Sequence, residues 1–278
     1  MLKEAKMKKK KVIKSIMFLM VFCMCSFANA TLVSYWSCDD PVGSMTLIDT
    51  VGGVNASLNG SMSFVESGVG AEYGNALLDA HRNNYATLPA DPWSLGKDDF
   101  TVSGWFKVPG LQARHGNVFT VGAWNTGGLE MTLLKDNNVD GIAQGNEGKL
   151  QFTVFGMGAD NAYVLSNNLL VDSAWHWFAG VVSGQMMSLY VDGVLQSGSG
   201  VSYGAATTAS TTGIGYIARN MVCYVDDIAL FDNALSGTVS GNALTSGGLY
   251  NVWQSPVPEP TTLVFVSAGI FLGIFRKK

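Results

Sequence analysis

Hydrolysis of a glycosidic bond by a retaining mechanism needs two carboxyl groups on one face, roughly 5 Å apart, and this chain does not space its carboxylates that way. Between residues 31 and 254 the glutamates are Glu66, Glu72, Glu130 and Glu147, and none has a carboxylate two residues away. The tightest acidic pairs, Asp39-Asp40, Asp98-Asp99 and Asp226-Asp227, are adjacent, so in a strand they point to opposite faces. The histidines are His81, His115 and His176, and no serine lies in a Gly-x-Ser-x-Gly turn. His81 and Arg82, beside Asp79, could touch a ligand, but the simpler reading of them is a solvated loop. No Cys/His cluster has zinc spacing, and no Gly-rich loop opens a helix to cradle phosphate. The expectation is therefore no catalytic residue and no enzyme.

The elements that would position any binding residues read as strands. From Thr31 to Trp253, short runs rich in Val, Phe, Tyr, Trp and Thr alternate with Gly, Asn, Asp and Ser. In Asp99 to Val108, Phe100, Val102, Gly104 and Phe106 fall on one face, and Thr101, Ser103, Trp105 and Lys107 on the other, the period of a half-buried strand. Residues 175–183 and 187–191 read likewise, and Asp192-Gly193 between apolar runs predicts a hairpin. The best helix candidate, Ser236 to Leu249, carries Gly237, Gly241, Gly247 and Gly248, enough for one or two turns at most. The fold class expected is all-β, an antiparallel β-sandwich.

Both ends differ from this middle. Residues 1–30 place seven lysines before an apolar run and Ala28-Asn29-Ala30, the pattern of a cleaved secretory signal peptide. Residues 255–278 carry Val257-Pro258-Glu259-Pro260, a short apolar segment at 261–275, and Arg276, Lys277 and Lys278. That tail resembles the PEP-CTERM sorting signal of exported bacterial proteins. The resemblance implies transient anchoring in the membrane, with the cations on the cytoplasmic side, and processing by an exosortase after signal peptidase has acted. The expected destination is the cell envelope, outer surface or extracellular matrix. Domain 31–254 is strongly acidic. The whole chain has 17 basic and 21 acidic residues, and setting aside ten cations and two glutamates in the ends leaves 7 against 19. That balance argues against nucleic acid as a partner. Cys38 and Cys223 remain once Cys23 and Cys25 leave with the leader, and two cysteines in an exported domain suggest one disulfide.

Five stretches, LVSYWSCDD (Leu32 to Asp40), GNALLDAHRNNYATLP (Gly74 to Pro89), DDFTVSGWFKV (Asp98 to Val108), WHWFAGVVSGQMMSLYVDGVLQ (Trp175 to Gln196) and YVDDIALFDNALS (Tyr224 to Ser236), occur in that order. They resemble LamG-like domains of the concanavalin A-like lectin and glucanase superfamily. The resemblance implies a jelly-roll sandwich whose first and last strands pair, bringing Leu32 to Asp39 beside Val222 to Phe231 and Cys38 near Cys223. It also implies a possible structural calcium ion held by Asp39, Asp49 and Asp226. The Glu-x-Asp-x-Glu constellation of the superfamily's glycosidases is missing. Sugar binding in such sandwiches relies on exposed aromatic rings, and Trp93, Trp124, Tyr163 and Tyr203 fall in turn-like stretches, whereas Trp36, Trp105, Trp175 and Trp177 lie in strands and suit a core. The function expected is a non-enzymatic module that binds a polysaccharide or surface glycan; the alternative is a structural matrix or adhesion protein that binds other proteins.

Overall fold

The computed structural model describes residues 30–66, 69, 73–89, 99–123, 127–137, 144–155, 162–202 and 214–255. The leader before Ala30 and the tail after Ser255, with its sorting motif and apolar segment, lie outside the described residues.

In chain order the strands begin with β1 (Leu32–Trp36), β2 (Thr46–Leu47), β3 (Ala56–Asn59), β4 (Ser63–Glu66), β5 (Asn75–Asp79), β6 (Tyr85–Leu88) and β7 (Phe100–Lys107). Next come β8 (Gly116–Ala123), β9 (Gly127–Leu133), β10 (Leu150–Phe155), β11 (Ala162–Leu165), β12 (Trp175–Ser183) and β13 (Met186–Val191). The series closes with β14 (Val194–Leu195), β15 (Val201–Ser202), β16 (Gly215–Arg219), β17 (Cys223–Phe231), β18 (Thr238–Ser240) and β19 (Ala243–Ser246), followed by a helix of about two turns, α1 (Gly248–Gln254). Two antiparallel sheets result. The first runs β18-β19-β14-β13-β12-β7-β17-β5-β4, with β1 also on β17 and β15 on β13; the second runs β11-β10-β9-β8-β16-β6-β3-β2.

The facing sides of the sheets are filled by period-two side chains. Phe100, Val102 and Phe106 of β7 meet Phe119, Met131 and Phe152 of the second sheet in one core that also takes in Trp36, Phe64, Leu77, Phe178 and Ile228. Gly104 keeps this contact possible, because a Cβ there would lie 2.4 Å from the Ile228 Cδ1. The outer face of β7 is more covered than the alternation suggests. Thr101 is fully buried, accepting from the Leu235 amide at 2.8 Å and donating to the Asn233 carbonyl at 3.1 Å. The best helix candidate, Ser236 to Leu249, instead holds the β18-β19 hairpin. The helix starts only at Gly248, and its Trp253 packs on Trp177, ring centroids 6.4 Å apart. Trp36 and Trp177 are core residues as expected, at 0% and 1% exposure, while Trp105 and Trp175 are half-buried on the outer face of the first sheet. Asp192 and Gly193, with φ of 49° and 71°, form the hairpin turn foreseen between β13 and β14.

The first and last long strands pair, Trp36 lying opposite Ile228 and Ser34 opposite Leu230. Strand β5 takes the remainder of the same edge of β17, setting Asp79 opposite Cys223 and Leu77 opposite Val225. The disulfide implied by the resemblance is not formed: Cys38 lies beyond the end of β1 with a left-handed φ of 60°, and both cysteines are free, fully buried thiols. Burial, with the charges of Asp226 and Asp227, pushes the Cys38 thiol pKa well up; burial, with Asp79, does the same for Cys223.

Candidate functional site

The acidic residues where β1 gives way to β5 organise backbone. Asp49 accepts from the amides of Tyr35 and Val54 at 2.9 and 3.0 Å and from Val51 and Gly52 at 3.0 and 2.9 Å. Asp39 accepts from the Asn75 amide at 2.7 Å, in space that glycine at position 74 leaves open. Asp226 is fully buried and accepts from the Asp227 amide at 3.0 Å. The calcium set Asp39, Asp49 and Asp226 is therefore not gathered around one point, and among the described residues no group of three or more His, Cys, Asp or Glu side chains is placed to hold a metal ion. Carboxylate oxygens committed to amides are poor candidates for the six to eight oxygens that calcium collects.

A different arrangement lies on the outer face of the second sheet. Cross-strand pairing aligns Ser57, Thr87, Tyr216, Thr120, Glu130, Thr153 and Tyr163 in one row across seven strands. A second row runs Arg219, Asn117, Thr132, Gln151 and Leu165. Alternate residues of these strands are core, so the rows share the face turned away from it. Two irregularities opposite one another keep them in step. Ala218 takes a left-handed φ of 53° and joins Ile217 in the core, while β8 shifts register between Asn117 and Phe119 with Val118 also turned inward. Tyr216 and Arg219, three residues apart, consequently lie on the same side, each half-buried.

The side chains of this face are braced against each other. The Arg219 guanidinium sits over the Tyr216 ring at 4.2 Å, a cation–π contact, and Tyr85 meets Tyr216 edge to face at 5.4 Å. At the centre the Thr132 hydroxyl donates to Glu130 Oε2 at 3.0 Å, and Asn117 Nδ2 donates to Thr132 Oγ1 at 3.0 Å. Burial raises the Glu130 carboxyl pKa, while hydrogen bonds from Thr132, Thr120 and Asn117 and the Arg219 charge oppose the rise. Gln151 Nε2 donates to Thr153 Oγ1 at 2.7 Å, and Asn59 Nδ2 to Thr87 Oγ1 at 2.9 Å. Asn117, Thr120, Thr132 and Thr153 are themselves buried and brace the half-buried Tyr85, Tyr216, Arg219, Glu130 and Gln151, whose rings and polar ends are the groups that can stack on the C–H face of a sugar and bond its hydroxyls.

Of the aromatic residues singled out for sugar stacking, Tyr163 is 53% exposed at the edge of this face; Trp93, Trp124 and Tyr203 lie outside the described residues. Tyr85, Tyr216, Arg219 and Glu130 were not anticipated. The period-two pattern of β6 could have pointed to Tyr85, but Tyr216 and Arg219 are brought together by the left-handed residue between them, which an alanine does not advertise.

Comparison with known proteins agrees with this architecture. Residues 79–238 match the Laminin_G_3 family model, described as the concanavalin A-like lectin/glucanases superfamily. No curated protein matches the sequence. Among solved structures, the fold is similar to domain 4 of AbnA, an extracellular arabinanase from Geobacillus stearothermophilus solved with arabinotriose, at 14% identity and a TM-score of 0.55, covering 74% of this chain and 95% of that one. It is also similar to botulinum neurotoxin type C (13% identity, TM-score 0.53, 76% and 50% covered) and to Trypanosoma rangeli sialidase (16%, 0.52, 77% and 32%). The chain thus spans half of the toxin chain and about a third of the sialidase, and at these identities the likeness is one of fold. With more than half of its length matched, the chain belongs to the concanavalin A-like lectin/glucanases superfamily.

Proposed function

We propose that the protein is an exported, non-enzymatic module that binds a polysaccharide or surface glycan through the outer face of the second sheet. On this reading its C-terminal tail sorts it to the cell envelope or matrix. The observation that carries the proposal is the aligned polar face, with Tyr85, Tyr216 and Arg219 stacked beside the Glu130 network. Two neighbours support it by what their names record: the arabinanase domain was solved with arabinotriose, and the toxin depends on interaction with two ganglioside molecules. A binding role is favoured over hydrolysis because Glu130 is the single carboxylate in the two described rows, where a glycosidase needs a pair.

The test is binding of the purified full-length protein, in mild detergent, to a panel of neutral, amine-bearing and uronate polysaccharides, with product release followed in parallel. Saturable binding without product, weakened by Tyr216→Ala, is the expected result. Product release would make the protein an enzyme, and intact protein that binds no glycan would overturn the proposal. One observation favours a second reading, adhesion to another protein. On the outer face of the first sheet Lys107 lies over Tyr224 and Trp175, at 4.8 and 5.7 Å, and these half-buried rings meet edge to face at 6.2 Å. Aromatic patches of that kind are enriched in protein interfaces.

A further inference from the structure

The glycan face does not end at the rim of the second sheet. Its first row finishes on Tyr163 of the edge strand β11, and the same residue lines a cavity of about 470 Å³ with Lys149, Asn167 and Ser197. Ser166 and Asn167 also line a second cavity, of about 330 Å³, with Asp172, His176, Asp192 and Gln196. Sharing these walls, the two cavities adjoin as a cleft beside the face.

Its walls are fixed. The Asn167 amide donates to Gln196 Oε1 at 2.7 Å, and Asn167 Oδ1 accepts from the Ser197 amide and hydroxyl at 3.0 and 2.6 Å. Deeper in, the His176 imidazole bridges two carboxylates, Nδ1 to Asp192 at 2.8 Å and Nε2 to Asp172 at 3.0 Å. Asp192 is itself held by the Trp177 amide at 2.9 Å, and Asp172 by the Ala174 amide at 2.8 Å. The rim is apolar: Tyr163, Leu169 and Val194 are 53%, 43% and 37% exposed. Preorganised amides and carboxylates under an apolar rim suit a sugar, which offers hydroxyls on its edge and C–H groups on its faces.

Resting on the glycan-binding reading above, we propose that this cleft is a second saccharide subsite, continuous with the face across Tyr163. The ligand is then a chain of several saccharide units that spans both face and cleft. Because Asp172 and Asp192 leave 58% and 45% of their side chains exposed at the cleft, a uronate-rich chain is repelled, and a neutral or amine-bearing polysaccharide is the class accepted.

The experiment is calorimetry of the full-length protein with fragments of three and eight residues from arabinan, β-glucan, chitosan and alginate. At least one neutral or amine-bearing octamer should bind tenfold or more tighter than its trimer. Leu169→Glu, a change at an exposed position, should bring that octamer down to the affinity of the trimer and leave the trimer unaltered; Val194→Glu is the companion should the first variant fold poorly. Equal affinity for the two lengths, equal loss for both in the variants, or a preference for the alginate octamer overturns the cleft proposal alone. Binding by no fragment of any kind overturns it together with the face.

Discussion

Tyr216 and Arg219 lie on the same side of one strand, with the guanidinium carbon 4.2 Å from the ring centroid, although a regular strand would put residues three apart on opposite faces. The cause is Ala218, whose φ of 53° turns it into the core beside Ile217. A left-handed alanine costs on the order of 1 kcal/mol, and such strain persists only where the surroundings fix it. Ala218→Gly should raise the melting temperature and leave glycan affinity unchanged. A β-branched residue fits neither the φ nor the buried site, so Ala218→Val should lower both. Thermal melts and binding isotherms of the pair check this, and a stabilised Ala218→Val would contradict the assignment of strain.

Tyr216→Ala removes the ring that carries Arg219 and touches Tyr85. Glycan affinity should fall roughly tenfold, the order of 1.5 kcal/mol that an aromatic contact contributes beyond its area. Because Tyr216 is half-buried on the outer face, the fold should survive, as a cooperative melt would verify. Glu130→Gln tests the neighbouring network and separates binding from catalysis: a modest loss of affinity is expected, with no loss of any turnover.

Stability should decline from mildly acidic to alkaline pH, through two groups that act in the same direction. Burial holds the Asp79 carboxyl at a pKa of about 6, against hydrogen bonds from the His81 amide and Asn84. The folded state therefore keeps this proton where the unfolded chain has released it, and stability falls as pH rises from about 4 to 6, by roughly 1–3 kcal/mol. For His176, burial lowers the pKa, and the hydrogen bonds to Asp192 and Asp172 outweigh it, leaving the group above its ordinary range. Its stabilisation is complete below about pH 6.5 and fades as pH passes the raised value. The Asp172 pKa, lowered by the Ala174 amide against partial burial and with help from His176, works the other way, and its contribution is lost only as pH drops below about 4. Denaturant midpoints between pH 3.5 and 9 should peak near pH 4, and Asp79→Asn should flatten the slope between 4 and 6 while raising stability at pH 7.5. A midpoint that climbs from pH 5 to 8 would contradict both assignments.

The thiols give a simple check on the packing of the closing strands. Cys38 and Cys223 are fully buried and free of a disulfide, and burial keeps them protonated. Protein freed of its leader should show almost no reaction with a thiol reagent while folded and two reactive thiols once unfolded. A disulfide recovered from oxidised, folded protein would contradict this arrangement.

Much of the fold was legible from period-two patterns. Residues 100–107 alternate Phe, Val and Phe toward the core, and Asp192-Gly193 states its hairpin outright. The pairing of first and last strands followed from the resemblance. What escaped was set by register. Cys38 lies past the end of β1 with a left-handed φ, while Cys223 pairs with Asp79 of β5, and both thiols stay free. Asp49 looks like a cation ligand in sequence and is occupied by four backbone amides. The glycan face was hidden for a related reason: its side chains come from seven strands scattered between Ser57 and Arg219 and converge only through cross-strand pairing, while the stacking residues sought in turns took attention from tyrosines inside strands.

The measurement that bears most directly on the account is the binding of full-length wild-type protein and Tyr216→Ala to the polysaccharide panel, side by side. Saturable binding to a neutral or amine-bearing polymer, weakened roughly tenfold in a variant that still melts cooperatively, is the predicted result. Binding that is indifferent to Tyr216, or no binding by a protein that melts cooperatively, would contradict a glycan site on the outer face of the second sheet.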